Sequence, residues 1–200
     1  MKIALIVSTA AAVLALTPAT AQQAAPVPVA QPLGGPAIAG VCLLSREAIF
    51  ANAAVSKAAS TRLADLGKEA QAEIDADRKP LEADVAAFQA EQAKLTPPQR
   101  QTREQALAPR LKAVQDKAQQ RNREIAATRE KVMGQIADYA QPVIAQVYKT
   151  KGCGLLVDRN SVLGGNMAND LTADVVKGLD AKITTISFNR ETLPAQTAAR

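Results

Sequence analysis

The chain has 200 residues and a formal net charge of +5, from 24 Lys and Arg against 19 Asp and Glu. It contains no His and no Trp, three Phe and two Tyr, and much of its apolar fraction is Ala. The lack of His excludes the triads, metal sites and general bases built on it, and no Gly-rich phosphate loop is present. We therefore predict no enzyme activity, catalytic residues, cofactor or metal. So few aromatic side chains favour elongated helices over a compact core.

The N-terminus has the three parts of a secretory signal peptide. Lys2 supplies a positive charge, residues 3–16 are apolar, and Ala21 ends a small-x-small cleavage motif. An apolar run of about 14 residues is too short for a transmembrane helix, which needs roughly 20. We predict cleavage after Ala21 and export to the periplasm of a Gram-negative bacterium. Residues 22–39, which contain four prolines, predict an extended tether.

Short β-like runs lie on both sides of a long helical region. Residues 41–44 follow Gly40 and precede Ser45, a good helix N-cap. Residues 154–158 predict a second strand and the β-branched run 183–188 a third. Between the second and third predicted strands, Thr172 is placed to cap a short helix. Residues 189–200 predict a disordered tail.

The strands define a small head formed by residues 40–46 and 152–188. Three short strands leave exposed edges and make a poor independent sheet. We therefore expect copies of the chain to share strands or cores, although these residues do not fix the number of copies. The predicted core of this oligomeric head comprises Val41, Leu43, Leu155, Leu156, Val157, Val175 and Leu179.

Residues 47–151 predict a long antiparallel helical hairpin. Two stripes of mainly apolar residues, spaced by threes and fours, lie on either side of Thr96-Pro97-Pro98-Gln99. Thr favours the N-cap and Pro the first turn, so this tetrad predicts the end of one helix and the start of the next, with the turn near 96–99. Each arm would reach about 70 Å. Polar residues interrupt both stripes, and proline is expected to bend the helices, which favours flexible arms.

The arms differ in charge. Residues 57–91 contain five basic and eight acidic residues, a balance of −3, whereas residues 94–131 contain ten basic and four acidic, a balance of +6. Opposite charges predict arms that attract each other, with positive charge left for a partner. The alternative is a solvated helix face with a chance imbalance.

A basic stretch in the second arm is the candidate contact surface. Single-stranded nucleic-acid binders interleave aromatic residues with basic ones, and none occur here, so we expect no nucleic-acid partner. An anionic lipid surface, lipopolysaccharide or a client polypeptide fits better. The candidate residues are Arg100, Arg103, Arg110, Lys112, Lys117, Arg121 and Arg123.

Cys42 and Cys153 are the two cysteines, one in each of the first two predicted strand regions. In an oxidising compartment they could form a disulfide that closes a loop of about 110 residues. The alternative is that both pack as small apolar residues.

Several strings resemble the Skp/OmpH family of periplasmic chaperones. They are 41–45 with Ile49 and Phe50, 140–144, 154–163 and 170–175, and the last two are the most specific. The resemblance covers residues 40–179. It implies an α+β, mostly α fold: a trimer whose β-rich body carries helical arms around a cavity, with ATP-independent holding of unfolded outer-membrane proteins. The tether and the cysteine pair are not carried over from the family.

Two functions of other classes remain as alternatives. One is a structural or adaptor coiled-coil protein of the cell envelope, and the other is an anionic-lipid-binding protein.

Overall fold

The computed structural model describes residues 33–195. The predicted signal peptide, residues 22–32 of the tether and residues 196–200 lie outside the described residues. The elements, in chain order, are β1 (Val41–Leu44), α1 (Arg46–Asn52), α2 (Ala54–Glu91), α3 (Pro97–Thr150), β2 (Leu155–Asp158) and α4 (Thr172–Lys182), with short 3₁₀ turns at Gln92–Lys94 and Arg159–Ser161. The prediction of a mostly α fold with long helices is confirmed. Within the described residues, no helix is both long and apolar enough to span a membrane.

The chain reverses direction between α2 and α3. After the 3₁₀ turn, the backbone N–H of Thr96 donates to Oε1 of Gln99 at 2.9 Å, and α3 begins at Pro97. This capping box satisfies donors that the first helical turn would otherwise leave unpaired. The helices continue through the internal prolines, which are Pro80, Pro109 and Pro142.

The first arm is not one continuous helix from residue 47. Ala53, which is fully buried, has an extended backbone (ψ 139°) that separates α1 from α2. Oδ1 of Asp180 accepts the N–H of Ala54 at 2.7 Å and so caps α2 from α4. The break turns α1 into part of the head, and α2 alone forms the first arm.

A Schellman motif ends the second arm at Gly152, whose φ of +67° suits glycine. The N–H of Gly152 donates to the carbonyl of Lys149 and that of Cys153 to the carbonyl of Tyr148, both at 3.2 Å. This tight stop brings the chain directly into β2.

The head contains two parallel strands, with Val41 paired to Leu155 and Leu44 to Asp158. The hairpin is the connection between them. Within the described residues the predicted third strand, 183–188, does not form. The other edge of β1 is already used, because Leu43 donates to Asn169 at 3.0 Å and accepts from Leu171 at 2.9 Å.

The core extends from the head into the base of the hairpin. It joins Ile49 of α1, Val132 and Ile136 of α3, and Val175 and Leu179 of α4, each at most 2% exposed. Burial of side chains of this size typically contributes about 1.5–3 kcal/mol each. The head is therefore built mainly by helices on a small sheet, which differs from the predicted β-rich body.

The seven predicted head residues fall into three groups. Val175, Leu179 and Leu43 are buried, and Val41, Leu156 and Val157 are half-buried. Leu155, at the start of β2, is 55% exposed and lies outside the core of this chain. Whether any of them packs between copies of the chain stays a prediction.

The cap of α4 also differs from the prediction. Thr172 is the first residue of the helix, and its N–H donates to Oδ1 of Asp170 at 2.9 Å. Its hydroxyl accepts the N–H of Ser45 at 2.9 Å, while Oγ of Ser45 caps α1 as predicted, at 3.1 Å from the N of Ala48. The predicted cap residue thus links the two helix starts instead.

Residues 183–195, here called the C-terminal strap, have no helix or strand and pack against the protein. Ile186, Phe188 and Arg190 are half-buried, whereas the residues between them are exposed. This period-two pattern is typical of an extended chain. Residues 189–195 were predicted to be disordered, but their charged side chains and backbone find partners on both arms.

Candidate functional site

Four ion pairs connect the two arms between the middle of the hairpin and its tip. They join Glu73 to Arg121 at 2.7 Å, Asp77 to Lys117 at 2.6 Å, Asp84 to Arg110 at 2.6 Å, and Glu91 to Arg103 at 2.8 Å. The two members of every pair lie at equal sequence distance from Pro97, so one antiparallel register holds from the middle of the hairpin to its tip. We call these pairs the inter-arm ladder.

The ladder sets register more than it adds stability. The side chains of its two outer pairs, Asp84–Arg110 and Glu91–Arg103, are about half exposed. Ion pairs this exposed usually contribute about 1 kcal/mol or less and are weakened by salt. The opposite charges of the arms are therefore used, as the sequence predicted, to hold the arms against each other.

Apolar packing between the arms fades from the base to the tip. On α2, Leu63, Leu66, Ala70 and Ile74 are buried near the base, but beyond them Leu81 and Phe88 are the buried members of the stripe. On α3, Val132 and Ile136 are buried near the base, and among the residues from 97 to 123 none is. Leu111, which lies in the apolar stripe of the second arm, is 43% exposed. The outer halves of the arms are thus held largely by exposed ion pairs.

The seven candidate contact residues differ in the partners that their side chains have in the structure. Arg103, Arg110, Lys117 and Arg121 belong to the ladder. Lys112 pairs with Asp116 on its own helix at 2.7 Å, and Arg123 donates to Gln120 at 3.3 Å. Arg100 has no ion pair among residues 33–195. A free basic patch is therefore smaller than the sequence alone indicates, and contact with a client or anionic surface stays a prediction.

A partly buried charge cluster lies where the packed base of the hairpin meets its polar outer half. It comprises Glu73 of α2, Arg121 and Glu124 of α3, and Arg190 of the C-terminal strap. The Glu124 side chain is 3% exposed, and its Oε2 lies 2.8 Å from Arg121 and 3.2 Å from Arg190. Arg190 also reaches Glu73 at 3.0 Å. One guanidinium thus joins both arms.

Hydrogen bonds lower the pKa of both carboxylates of this cluster. Burial raises the pKa of Glu73, but hydrogen bonds from Arg121 and Arg190 outweigh it and lower the pKa overall. For Glu124, burial again raises the pKa, and hydrogen bonds from Gln120 and Arg121 more than reverse the effect. Two positive and two negative groups therefore neutralise one another, and the buried Glu124 carboxylate has the partners that a buried charge requires.

Sequence reasoning missed this cluster because it treated the tail as disordered. One signal was available. Glu124 lies three residues after Arg121 and four before Thr128, which places it on the apolar face of the second arm, where a carboxylate needs a partner.

The two cysteines close the base of the hairpin. Cys42 of β1 and Cys153 form a disulfide with their Cα atoms 5.8 Å apart and a sequence separation of 111. Cys153 directly follows Gly152, so the helix stop positions the bond. Of the two alternatives left open by the sequence, this structure contains the disulfide.

In the part of the chain that the structure describes, no three His, Cys, Asp or Glu side chains are grouped so as to hold a metal ion. The absence of a cofactor and of catalytic residues remains a sequence prediction. What the arrangement offers is extended surface: two long arms, weakly joined at their outer halves, on a small disulfide-closed head.

These features define a helical-hairpin protein whose two charged arms project from a small α/β head. The model of the OmpH-like outer membrane protein family matches residues 40–179. The chain therefore belongs to the Skp/OmpH family, which confirms the resemblance seen in the sequence.

The fold is shared with a solved relative. The crystal structure of a protein assigned as an OmpH-like outer membrane chaperone from Caulobacter crescentus CB15 is 32% identical in sequence. The match covers 83% of this chain and 98% of that one, with a TM-score of 0.73. No curated protein matches the chain.

Proposed function

We propose that the protein is an ATP-independent periplasmic holdase, which binds unfolded outer-membrane proteins between flexible helical arms and prevents their aggregation. Membership of the OmpH-like family and similarity to the Caulobacter protein support a chaperone of the Skp/OmpH type. The observation that carries the finer proposal is the contrast between the packed base of the hairpin and its weakly joined outer halves. Surfaces of this kind can open and contact many sequences weakly, and the contacts sum to useful affinity.

The proposed assembly is a homotrimer formed through the head. Its support is the incomplete sheet: within the described residues β2 pairs on one side, with β1, and Leu155 at its start is 55% exposed. An unpaired strand edge with an exposed apolar side chain is a ready site for a second copy of the chain. Several hairpins around one centre would enclose a client, which a single hairpin does not.

The test is suppression of aggregation when a urea-unfolded outer-membrane barrel is diluted into buffer with the mature protein. We expect several-fold excess of the protein to suppress light scattering without ATP. A variant with shortened arms, lacking residues 81–91 and 103–113, removes about three helical turns from each arm and keeps the helical phase. It should retain the oligomeric state of the parent in sedimentation and lose suppression.

Each failure has a distinct meaning. No suppression by the mature protein with intact arms would contradict the holdase proposal and favour the adaptor alternative. Equal suppression by the shortened variant would show that the arms do not hold the client. A stable monomer at micromolar concentration would contradict the trimer alone.

Binding to an anionic surface is kept as an additional proposal for the same arms. Arg100, Lys112 and Arg123 are its remaining candidates, since the ladder uses the other four. Flotation with acidic vesicles or lipopolysaccharide at low and high salt tests it, and binding that salt does not weaken would argue against these residues.

A further inference from the structure

The C-terminal strap runs from the core of the head to the middle of the hairpin. Ile183, Ile186 and Phe188 pack against the core as half-buried residues. Beyond them the segment continues along both arms as far as Leu193, whose carbonyl accepts from Nε2 of Gln120 at 2.7 Å. These residues lie after the part of the chain that matches the family, which ends at residue 179.

The strap binds α3 through backbone as well as side-chain groups. The N–H of Glu191 donates to Oγ1 of Thr128 at 2.9 Å, and the Glu191 carboxylate lies 2.7 Å from Nζ of Lys131. Thr128 is 1% exposed, and its hydroxyl donates to the carbonyl of Glu124 at 2.6 Å. A buried hydroxyl that donates to its own helix and accepts from the strap fixes the strap at one position.

Arg190 then connects the strap to both arms at once. Its side chain is 20% exposed and lies 3.0 Å from Glu73 of α2 and 3.2 Å from Glu124 of α3. Between this contact and the head, the arms share a buried apolar seam. Between it and the tip, the exposed pairs of the ladder dominate. The contact therefore falls at the boundary between the two halves.

We propose that the C-terminal strap is a clamp, in which Arg190 joins the two arms at Glu73 and Glu124. This contact fixes the point on the hairpin beyond which the outer halves, toward the tip, bend. Arg190 is the positioning residue of this device. Its planar guanidinium can satisfy two carboxylates from different directions, which a lysine ammonium matches less well. The proposal concerns the motion of the hairpin and stands independently of the client that the arms hold.

The test is hydrogen exchange of the full-length protein and its Arg190→Ala variant. Loss of the clamp should raise exchange by about tenfold in residues 63–77 and 118–132 together, because local opening of one arm frees the other. The hydrogen-exchange rates of the head strands, β1 and β2, should not change. Arg129→Ala, which removes an exposed arginine from the same region of α3, is the matched control and should leave exchange unchanged.

Two further variants separate a clamp from general destabilisation. A chain ending at Asn189 keeps the apolar contacts with the core but loses Arg190, Glu191 and Leu193, and should behave as Arg190→Ala does. A chain ending at Ala195 should behave as the parent. Arg190→Lys should be intermediate. In a double-mutant cycle, Glu73→Gln should add less to Arg190→Ala than it does to the parent.

The overturning results are equally specific. Unchanged exchange in both arms of Arg190→Ala would remove the clamp, as would a uniform increase that includes β1 and α4. An increase confined to α3 would mean that the strap stabilises one helix and does not join the arms.

Discussion

Glu124 shows at the scale of one residue how the hairpin accommodates a charge inside an apolar seam. The side chain is 3% exposed and contacts Arg121 and Arg190, so removing its charge would leave Glu73 as the one carboxylate that these two guanidinium groups share. Hydrogen bonds to charged groups typically contribute about 1.5–3 kcal/mol. We therefore expect Glu124→Gln to lower the free energy of unfolding near neutral pH by about that amount.

The effect should depend on pH in one direction. The pKa of Glu124 is lower in the folded protein than the usual value of 4.5. Its stabilisation is therefore complete above the unfolded pKa and is lost as pH falls through the folded pKa. Urea unfolding of parent and Glu124→Gln should give a difference that is constant from about pH 7 to about pH 5 and shrinks below about pH 4.5.

Glu130→Gln is the control, because Glu130 lies on the same helix and is exposed. It should change stability little at any pH. A difference between parent and Glu124→Gln that persists unchanged into strong acid would mean that the carboxylate contributes through packing and not through its charge.

At the scale of elements, the helices were predictable and the connections between the head and the arms were not. The Pro97-Pro98 pair and the stripes identify the hairpin because helix periodicity and capping are local properties. The run 183–188 has the composition of a strand, but its half-buried Ile183, Ile186 and Phe188 pack against the core, and its backbone joins neither strand of the sheet. No local pattern shows whether an extended apolar run pairs with a sheet or only packs its side chains against a core.

The candidate site was predictable to a similar extent. Opposite arm charges predicted mutual attraction, and the ladder confirms it. The cluster at Glu124 depends on Arg190, 66 residues away in the sequence, and such contacts follow from packing. The break at Ala53 was missed because it is capped from α4, by Asp180.

The disulfide closes a loop that contains the entire hairpin, because the hairpin lies between its two cysteines in the sequence. A cross-link over 111 residues restricts the unfolded chain strongly, by about 4–5 kcal/mol in the chain-entropy model. We expect the oxidised protein to unfold at higher urea concentration than the Cys42→Ala, Cys153→Ala double variant, with the same helix content by circular dichroism before unfolding.

Thiol counting in denaturant is the accompanying measurement. Protein isolated from an oxidising compartment should show no free thiol until a reductant is added, and reduction should lower its stability to that of the double variant. Two free thiols before reduction would remove the disulfide from the native protein, whatever the variant does.

At the scale of the whole hairpin, stability should fall from base to tip, because its contacts change from buried apolar packing to exposed ion pairs. Screening weakens exposed pairs much more than buried contacts. Salt should therefore loosen the outer halves of the arms and leave their base unchanged. Spin labels on cysteines introduced at Ala86 and Ala108, which are exposed and equidistant from Pro97, report the outer halves.

A second labelled pair at Ala64 and Glu130 reports the base with the same symmetry. We expect the distance distribution of the outer pair to broaden between low and high salt, and that of the base pair to stay narrow. Asp84→Arg should broaden the outer distribution even at low salt, since two arginines would then face each other. Adding Arg110→Asp should restore it by rebuilding the pair in reverse. Equal broadening of both label pairs would mean that the hairpin moves as one body, and then neither the ladder nor the clamp would determine where it bends.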